Sequence, residues 1–357
     1  MRTIGTASYG LRAPIVKQGD DLVEIVVNAV LNSGLEIKDK DVLGITESIV
    51  ARCEGNYVTI DEVAEEIRKI SNNADVIFVD RPIYSRNRFA MILKAIARAA
   101  GKKVYVYMPD TDEVGNVRNN HPFTKLNYNE YYTSIVESEG KECKVCKSFR
   151  ETSDQVDFDK AFFVDARMYF TTSRQEEIRN NSCTLADICK DKCEYGLYGS
   201  NKASEEMLKL FPSKSYAEAI VERVQGLVYS ETGKKIEVMV YGDGCFKDPV
   251  GGIWEFADPV VSPAYTPGLE GTPNEIKIKN FADEKYKDLK GEELNSAIKK
   301  EIENKSSDLK GNMNSQGTTP RRYTDLLGSL MDLTSGSGDK GTPFVYVQGY
   351  FDNMSNE

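Results

Sequence analysis

Between Ala74 and Met108 the chain carries an apolar run, a helical run and a second apolar run, and that order leaves few folds open. Ala74–Asp80 (ADVIFVD) is apolar through its centre, the pattern of a strand buried on both faces. Arg88–Ala100 (RFAMILKAIARAA) reads as a helix stopped by Gly101, and Lys103–Met108 (KVYVYM) reads as a second strand. A strand, helix and strand within roughly 30 residues form a β-α-β unit, so the two strands should run parallel. A further strand at Ala161–Asp165 (AFFVD), followed by a helix near Ser173–Arg179, begins another such unit. The fold class expected is α/β: an α+β core made of residues 1–72 and 191–357, with a doubly wound α/β domain inserted at 73–190.

The flanking regions read as shorter elements. Leu22, Val23, Val26, Val27 and Val30 make an apolar stripe, with Asp20 as the expected N-cap, Glu24 in the first turn and Gly34 as the stop. Asp41–Ile45 (DVLGI) reads as a buried strand and Ile60–Ile70 as a helix capped by Asp61. Later come a helix at Tyr216–Thr232, a strand at Lys235–Tyr241 and a Gly- and Pro-rich run holding Asp243, Asp248, Glu255 and Asp258. Long loops of this kind usually carry function. Lys285–Lys310 is charged and helical, a solvated face rather than a site.

Composition removes several function classes. The net charge of −10 gives no reason to expect a nucleic-acid or acidic-membrane partner. No apolar run approaches transmembrane length and the N-terminus has no signal-peptide core, so a cytoplasmic location is expected. With one histidine, His121, placed before Pro122, only that residue could activate a serine or cysteine nucleophile. Seven cysteines, an odd number, argue against a disulfide framework. Cys143, Cys146, Cys183, Cys189 and Cys193 leave a zinc site open, with reduced thiols as the preferred reading because the CKVC segment lacks knuckle glycines and prolines.

Two places suit anions. Arg86, Arg88 and Arg167 follow strand ends, where ligands of open α/β sheets gather, and can grip a carboxylate or phosphate as substrate; surface salt bridging is the alternative. The segment Thr334–Thr342 puts Gly336, Gly338 and Gly341 among hydroxyls, Asp339 and Lys340. Such a loop is either a flexible linker or a phosphate or metal-phosphate cradle. It follows an amphipathic helix containing Asp325, Leu326, Leu327, Leu330 and Leu333, and precedes a β-branched, aromatic run.

The stretches PIVKQGDDL (14–22), DVLGITESIVARCEG (41–55), VMVYGDGCFKDPVGG (238–252) and the C-terminal helix, glycine loop and strand (325–349) resemble the coenzyme F-420 gamma-glutamyl ligases. The resemblance implies a ligase-like core, GTP (or ATP) with Mg2+ or Mn2+, small carboxylate and amino-acid substrates, and a homodimer. It implies phosphoryl transfer to a carboxylate, giving an acyl phosphate that an amine then attacks. Carried over by position, Arg52 stands where the family has a lysine and takes a catalytic, phosphate-binding role; Lys247 is expected to add charge stabilisation. Ser200 and Asn201 align with a Ser-Asn pair of the family and, with Lys17, Ser48, Ser335, Gly336, Ser337, Gly338, Lys340 and Gly341, are expected at the nucleotide; Asp243, Asp248 and Asp339, which do not stand at the family's ligand positions, are expected to hold the metal in their place. Three acidic positions of the family are occupied here by Tyr198, Tyr241-Gly242 and Ser337. That leaves a non-catalytic nucleotide- or metabolite-binding protein on the same scaffold as the alternative. A third reading gives the main substrate site to the inserted region.

Overall fold

A computed structural model of the chain describes residues 3–112, 115–122, 124–147, 151, 157, 160–166, 180–243, 246–247, 254–255, 260–309, 311–315, 321–336 and 338–356. The helix expected near Ser173–Arg179 and the residues Arg167, Cys245, Asp248 and Ser337 lie outside these, as do the side chains of Asp243, Lys247 and Trp254.

One sheet is wholly parallel. Its strands run in the order β6 (Glu142–Cys146), β5 (Lys103–Tyr107), β4 (Val76–Asp80), β7 (Ala161–Asp165), β8 (Ser182–Thr184). Val76 to Asp80 pair in parallel with Lys103 to Tyr107, as the β-α-β pattern requires. The order reverses between β4 and β7, the switch point of a doubly wound sheet. Alternation along the strands sends Ile77, Val79, Val104, Val106, Phe162 and Val164 to the face covered by α3 (Ile60–Ile70), α4 (Arg88–Ala99) and α5 (Tyr128–Ser138). Each such fully buried side chain contributes roughly 1.5–3 kcal/mol relative to exposure. On the other face Phe78 stacks on Tyr105 and tilts against Phe163, with ring centroids 5.9 and 5.7 Å apart.

The second sheet is mixed, in the order β1 (Ala7–Leu11), β15 (Phe344–Gln348), β2 (Val42–Thr46), β11 (Glu237–Asp243), β14 (Val260–Tyr265). Only β2 and β11 are parallel within it. Leu43, Ile45, Val238 and Val240 pack against α1 (Leu22–Leu31) and the helix Lys214–Thr232. Val42, Met239, Tyr241 and Val345 face Leu327 and Met331 of the helix Tyr323–Ser335. Gly44 makes that second layer possible: a Cβ there would run into Met331 Sδ and lie 2.9 Å from Tyr241 Cε1.

A three-stranded antiparallel sheet, β3 (Tyr57–Thr59), β10 (Met207–Lys209), β9 (Asn201–Ser204), joins the two. Arg98 on α4 locks this joint to α3 and α5, reaching Asp61 at 2.8 Å, Glu206 at 2.9 Å and Glu139 at 2.9 Å. A short β12 (Phe246–Lys247) pairs with β13 (Trp254–Glu255).

Several local expectations are corrected. Asp21, not Asp20, caps α1, its Oδ1 accepting from Glu24 N at 3.2 Å; Asp20 instead accepts from Lys17 N at 2.7 Å. Thr59, not Asp61, caps α3 through a reciprocal box with Glu62. The strand expected to stop at Tyr241 continues to Asp243, because β14 supplies partners for Gly242 and Asp243. Leu333 is 82% exposed, although it shares the apolar pattern of its helix. Among the described residues no helix is long and apolar enough to cross a membrane.

Candidate functional site

Strand directions in the mixed sheet bring four chain ends to one edge. Thr46, where β2 exits, pairs with Tyr241 near the exit of β11. Phe344, where β15 enters, pairs with Ile45 and with Leu11, where β1 exits. The segment after β1, the start of α2 (Glu47–Glu54), the end of β11 and the loop before β15 therefore meet. Two backbone bonds fasten them: Ala13 N donates to Gly341 O and Thr46 N to Pro343 O, both at 3.0 Å.

A cleft of about 390 Å3 opens there, lined by Ala13–Val16, by Thr46, Ser48, Ile49 and Arg52, and by Ser335, Gly336 and Gly341–Pro343. No side chain caps the first turn of α2, whose N-cap is Thr46. Its leading N–H groups thus remain available to an anion, and the helix dipole favours one. Ser48 and Arg52 are exposed and carry no side-chain hydrogen bond or ion pair among the described residues. On the facing wall Gly336 and Gly341 both have φ of +63°, which a side chain would strain. Thr342 Oγ1 donates to Ser335 O at 2.8 Å, and Ser335 Oγ to Asp332 O at 3.0 Å, so the loop is braced. Gly338, Asp339 and Lys340 form a single 3₁₀ turn, with Lys340 Nζ folded over Gly336. Lys17 follows the lining residue Val16 and is exposed.

The structure thus brings Arg52, Ser48, Ser335, Gly336 and Gly341 into one cleft, with Lys17, Gly338, Asp339 and Lys340 beside it. Asp243 ends β11 at the same sheet edge, and Lys247 lies on β12. Among the described residues no three histidine, cysteine or acidic side chains gather as a metal site.

Ser200, Asn201, Arg86 and Arg88 are not in this cleft. Ser200 is buried and donates to Leu197 O at 2.7 Å. Asn201 and Arg88 line a separate cavity, and Arg86 is exposed on the turn before α4. A route of contacts nevertheless links Asn201 to the sheet edge. It pairs across β9–β10 with Lys209, whose Nζ lies 2.6 Å from Glu47 Oε2. Glu47 in turn fills the space that a Cβ on Gly242 would need. Sequence reasoning missed Glu47 and Lys209. Glu47 was findable, since it follows directly on an apolar strand at its carboxyl end. Lys209 was not, because its partner is 162 positions away.

The cysteines are free where described. Burial pushes the thiol of Cys143 up to about 11 and that of Cys146 up to about 12, away from ready thiolate chemistry. His121 is buried, its Nδ1 accepting from Thr124 N at 3.2 Å and its Nε2 beside Asn116 Oδ1 at 3.0 Å.

Residues 10–349 match the model of the family described as F420-0:Gamma-glutamyl ligase. An uncharacterized protein of Methanocaldococcus jannaschii is 33% identical over 51 residues, 14% of this chain and 18% of that protein. The coenzyme F420:L-glutamate ligase of Methanothermobacter thermautotrophicus is 34% identical over 50 residues, 14% of this chain and 20% of that enzyme. The chain spans about a fifth of the length of these curated relatives.

Proposed function

The chain belongs to the F420-0:gamma-glutamyl ligase family, and from that premise we propose that it joins a carboxylate to an amine at the four-strand edge, using GTP or ATP with Mg2+ or Mn2+. The observation that carries this reading is the cleft itself: an uncapped helix start, an Arg52 without a side-chain partner among the described residues and two positive-φ glycines line it together. These groups fit a polyphosphate, which needs converging N–H donors and a guanidinium more than it needs covalent chemistry.

In the proposed reaction a carboxylate oxygen of the substrate takes the γ-phosphoryl group, the β,γ P–O bond breaks and nucleoside diphosphate leaves. The amine then attacks the acyl carbon, inorganic phosphate leaves with the C–O bonding electrons, and the nitrogen gives up a proton. Arg52 and the first N–H groups of α2 hold charge that develops on the phosphoryl oxygens, and Lys247 adds a second cation. Ser48, Ser335, Gly336, Gly338, Lys340 and Gly341 cradle the phosphates. Asp243, Asp248 and Asp339 would hold the divalent ion, which supplies charge neutralisation. Two chains are expected to associate as a homodimer.

A thermal-shift series tests the reading. GTP or ATP with Mg2+ at about 100 times its Kd should stabilise the protein by ~2.7 kcal/mol. Arg52→Gln should weaken the shift and lower kcat roughly 100-fold while leaving the circular dichroism unchanged. If neither nucleotide raises the melting temperature, the ligase reading is wrong.

A non-catalytic binding protein on the same scaffold is favoured by one observation. Tyr198 and Tyr241, at positions where the family carries acidic groups, are both buried, with hydroxyls aimed at the backbone carbonyls of Asp165 (3.5 Å) and Met331 (3.4 Å). Nucleotide binding without phosphate release in the presence of amino acids and small carboxylic acids would select that reading.

A further inference from the structure

At the switch point of the parallel sheet the chain forms a second cavity, of about 200 Å3, on the face covered by α4. Ile83, Phe89, Ile92, Leu185 and Leu197 give it apolar walls. The cavity is too small for a nucleotide and falls below the ~300–1,000 Å3 of pockets for drug-sized ligands. Its walls come from different parts of the chain: the exit of β4, the first turns of α4, Ala166 just past β7, and the segment leading into β9. It is therefore a product of the sheet topology, at the place where such sheets hold their ligands.

Among the described residues one cation lines this cavity. Arg88, the first residue of α4, is half-buried in its lining, and its guanidinium has no hydrogen bond or ion pair among the described residues. A guanidinium partly removed from water without a carboxylate is unusual in a chain with ten more acidic than basic residues. No side chain caps α4 through its N-cap Asn87, although Ser85 Oγ accepts from Asn87 N at 3.2 Å and from Arg88 N at 3.1 Å. Asn201 also lines the cavity, its Oδ1 accepting from Lys202 N at 2.9 Å, and the lining residue Tyr198 has its hydroxyl 3.5 Å from Asp165 O.

We propose that this cavity is a ligand site for a small carboxylic acid with a compact apolar body, whose carboxylate pairs with Arg88 at the start of α4 and whose body lies against Phe89, Ile92, Leu185 and Leu197. A monoanion matches a single guanidinium, and a planar carboxylate matches its fork of donors. A phosphate ester would bring a second negative charge that no further cation balances among the described residues of the lining. The proposal is independent of the ligase reading, because neither Arg88 nor its neighbours line the glycine-loop cleft.

The test uses the full chain with phenylacetate as probe and phenylacetamide as its neutral isostere, read by calorimetry and melting temperature. Phenylacetate should bind and raise the melting temperature, and phenylacetamide should bind at least tenfold more weakly. Arg88→Gln should weaken phenylacetate at least tenfold, whereas Arg86→Gln and Arg52→Gln should leave its Kd within twofold. Ile92→Met, a milder change in the wall, should alter the Kd of phenylacetate without abolishing its preference over the amide. Equal affinity for acid and amide would overturn the proposal. So would retention of binding in Arg88→Gln, loss of binding in Arg52→Gln, or no binding by phenylacetate at all. Because the nucleotide shift is measured separately and depends on Arg52, the two readings fail independently.

Discussion

Single residues decide how tightly the layers of this molecule close. Gly44 is the clearest case, since β2 can accept the helix Tyr323–Ser335 only if no Cβ stands between them. Gly44→Ala should cost about 1–3 kcal/mol through overpacking against Met331 and Tyr241, measured as a lower urea midpoint at unchanged m-value. An unchanged midpoint would mean that the helix shifts freely and the layer is not close-packed. Gly242 plays the same part at the proposed active edge, where it leaves room for Glu47 and its ion pair with Lys209. The sequence marked Asp243 in this neighbourhood as a loop carboxylate, and the strand pairing places its backbone in the sheet instead.

Elements were read more reliably than their ends. The periodic apolar patterns located α3 at Ile60–Ile70 and β7 at Ala161–Asp165 without error, because burial on one face or both leaves a strong imprint over many residues. Caps were read less well, because Asp, Thr and Ser compete locally and a difference of two positions changes little in the pattern. At α3 the capping box of Thr59 and Glu62 won over Asp61, whose carboxylate is turned outward to Arg98. Thr59→Ala should therefore destabilise the protein by about 1 kcal/mol, and Asp61→Asn by less than about 0.5 kcal/mol, in urea titrations. The reverse ranking would restore Asp61 as the cap.

For the whole molecule, burial of the thiols sets an alkaline limit. Burial raises Cys143 and Cys193 to about 11 and Cys146 to about 12, with Cys183 and Cys189 raised further. Unfolded thiols lose their protons near pH ~8.5, so above that pH the unfolded state binds fewer protons than the native state. Stability is then fully present below about pH 8.5 and falls as pH rises toward the native values, by roughly 2 kcal/mol per thiol at pH 10. Denaturation at pH 7.5 and at pH 10 should show this loss, and Cys183→Ala should reduce it; a stability that is flat over this interval would contradict the burial of the thiols. Buried tyrosines, Tyr84 and Tyr346 among them, are raised too and add to the loss at higher pH.

The sequence by itself determined the parallel β-α-β unit, the glycine loop, the family and most of the elements, since each of these is written in a contiguous stretch whose pattern reflects local sterics and burial. Only the tertiary structure decided which of the candidate residues share a site. Arg52, Ser48 and the 335–341 loop meet because β1, β2, β11 and β15 have their relevant ends on one edge of a mixed sheet, a matter of strand direction that no local pattern encodes. The same topology parted Arg88 and Asn201 from that cleft and set them in the lining of another. Pairing between residues far apart in the chain fixes such groupings, and the entropy of closing those loops is repaid only when the whole sheet has formed.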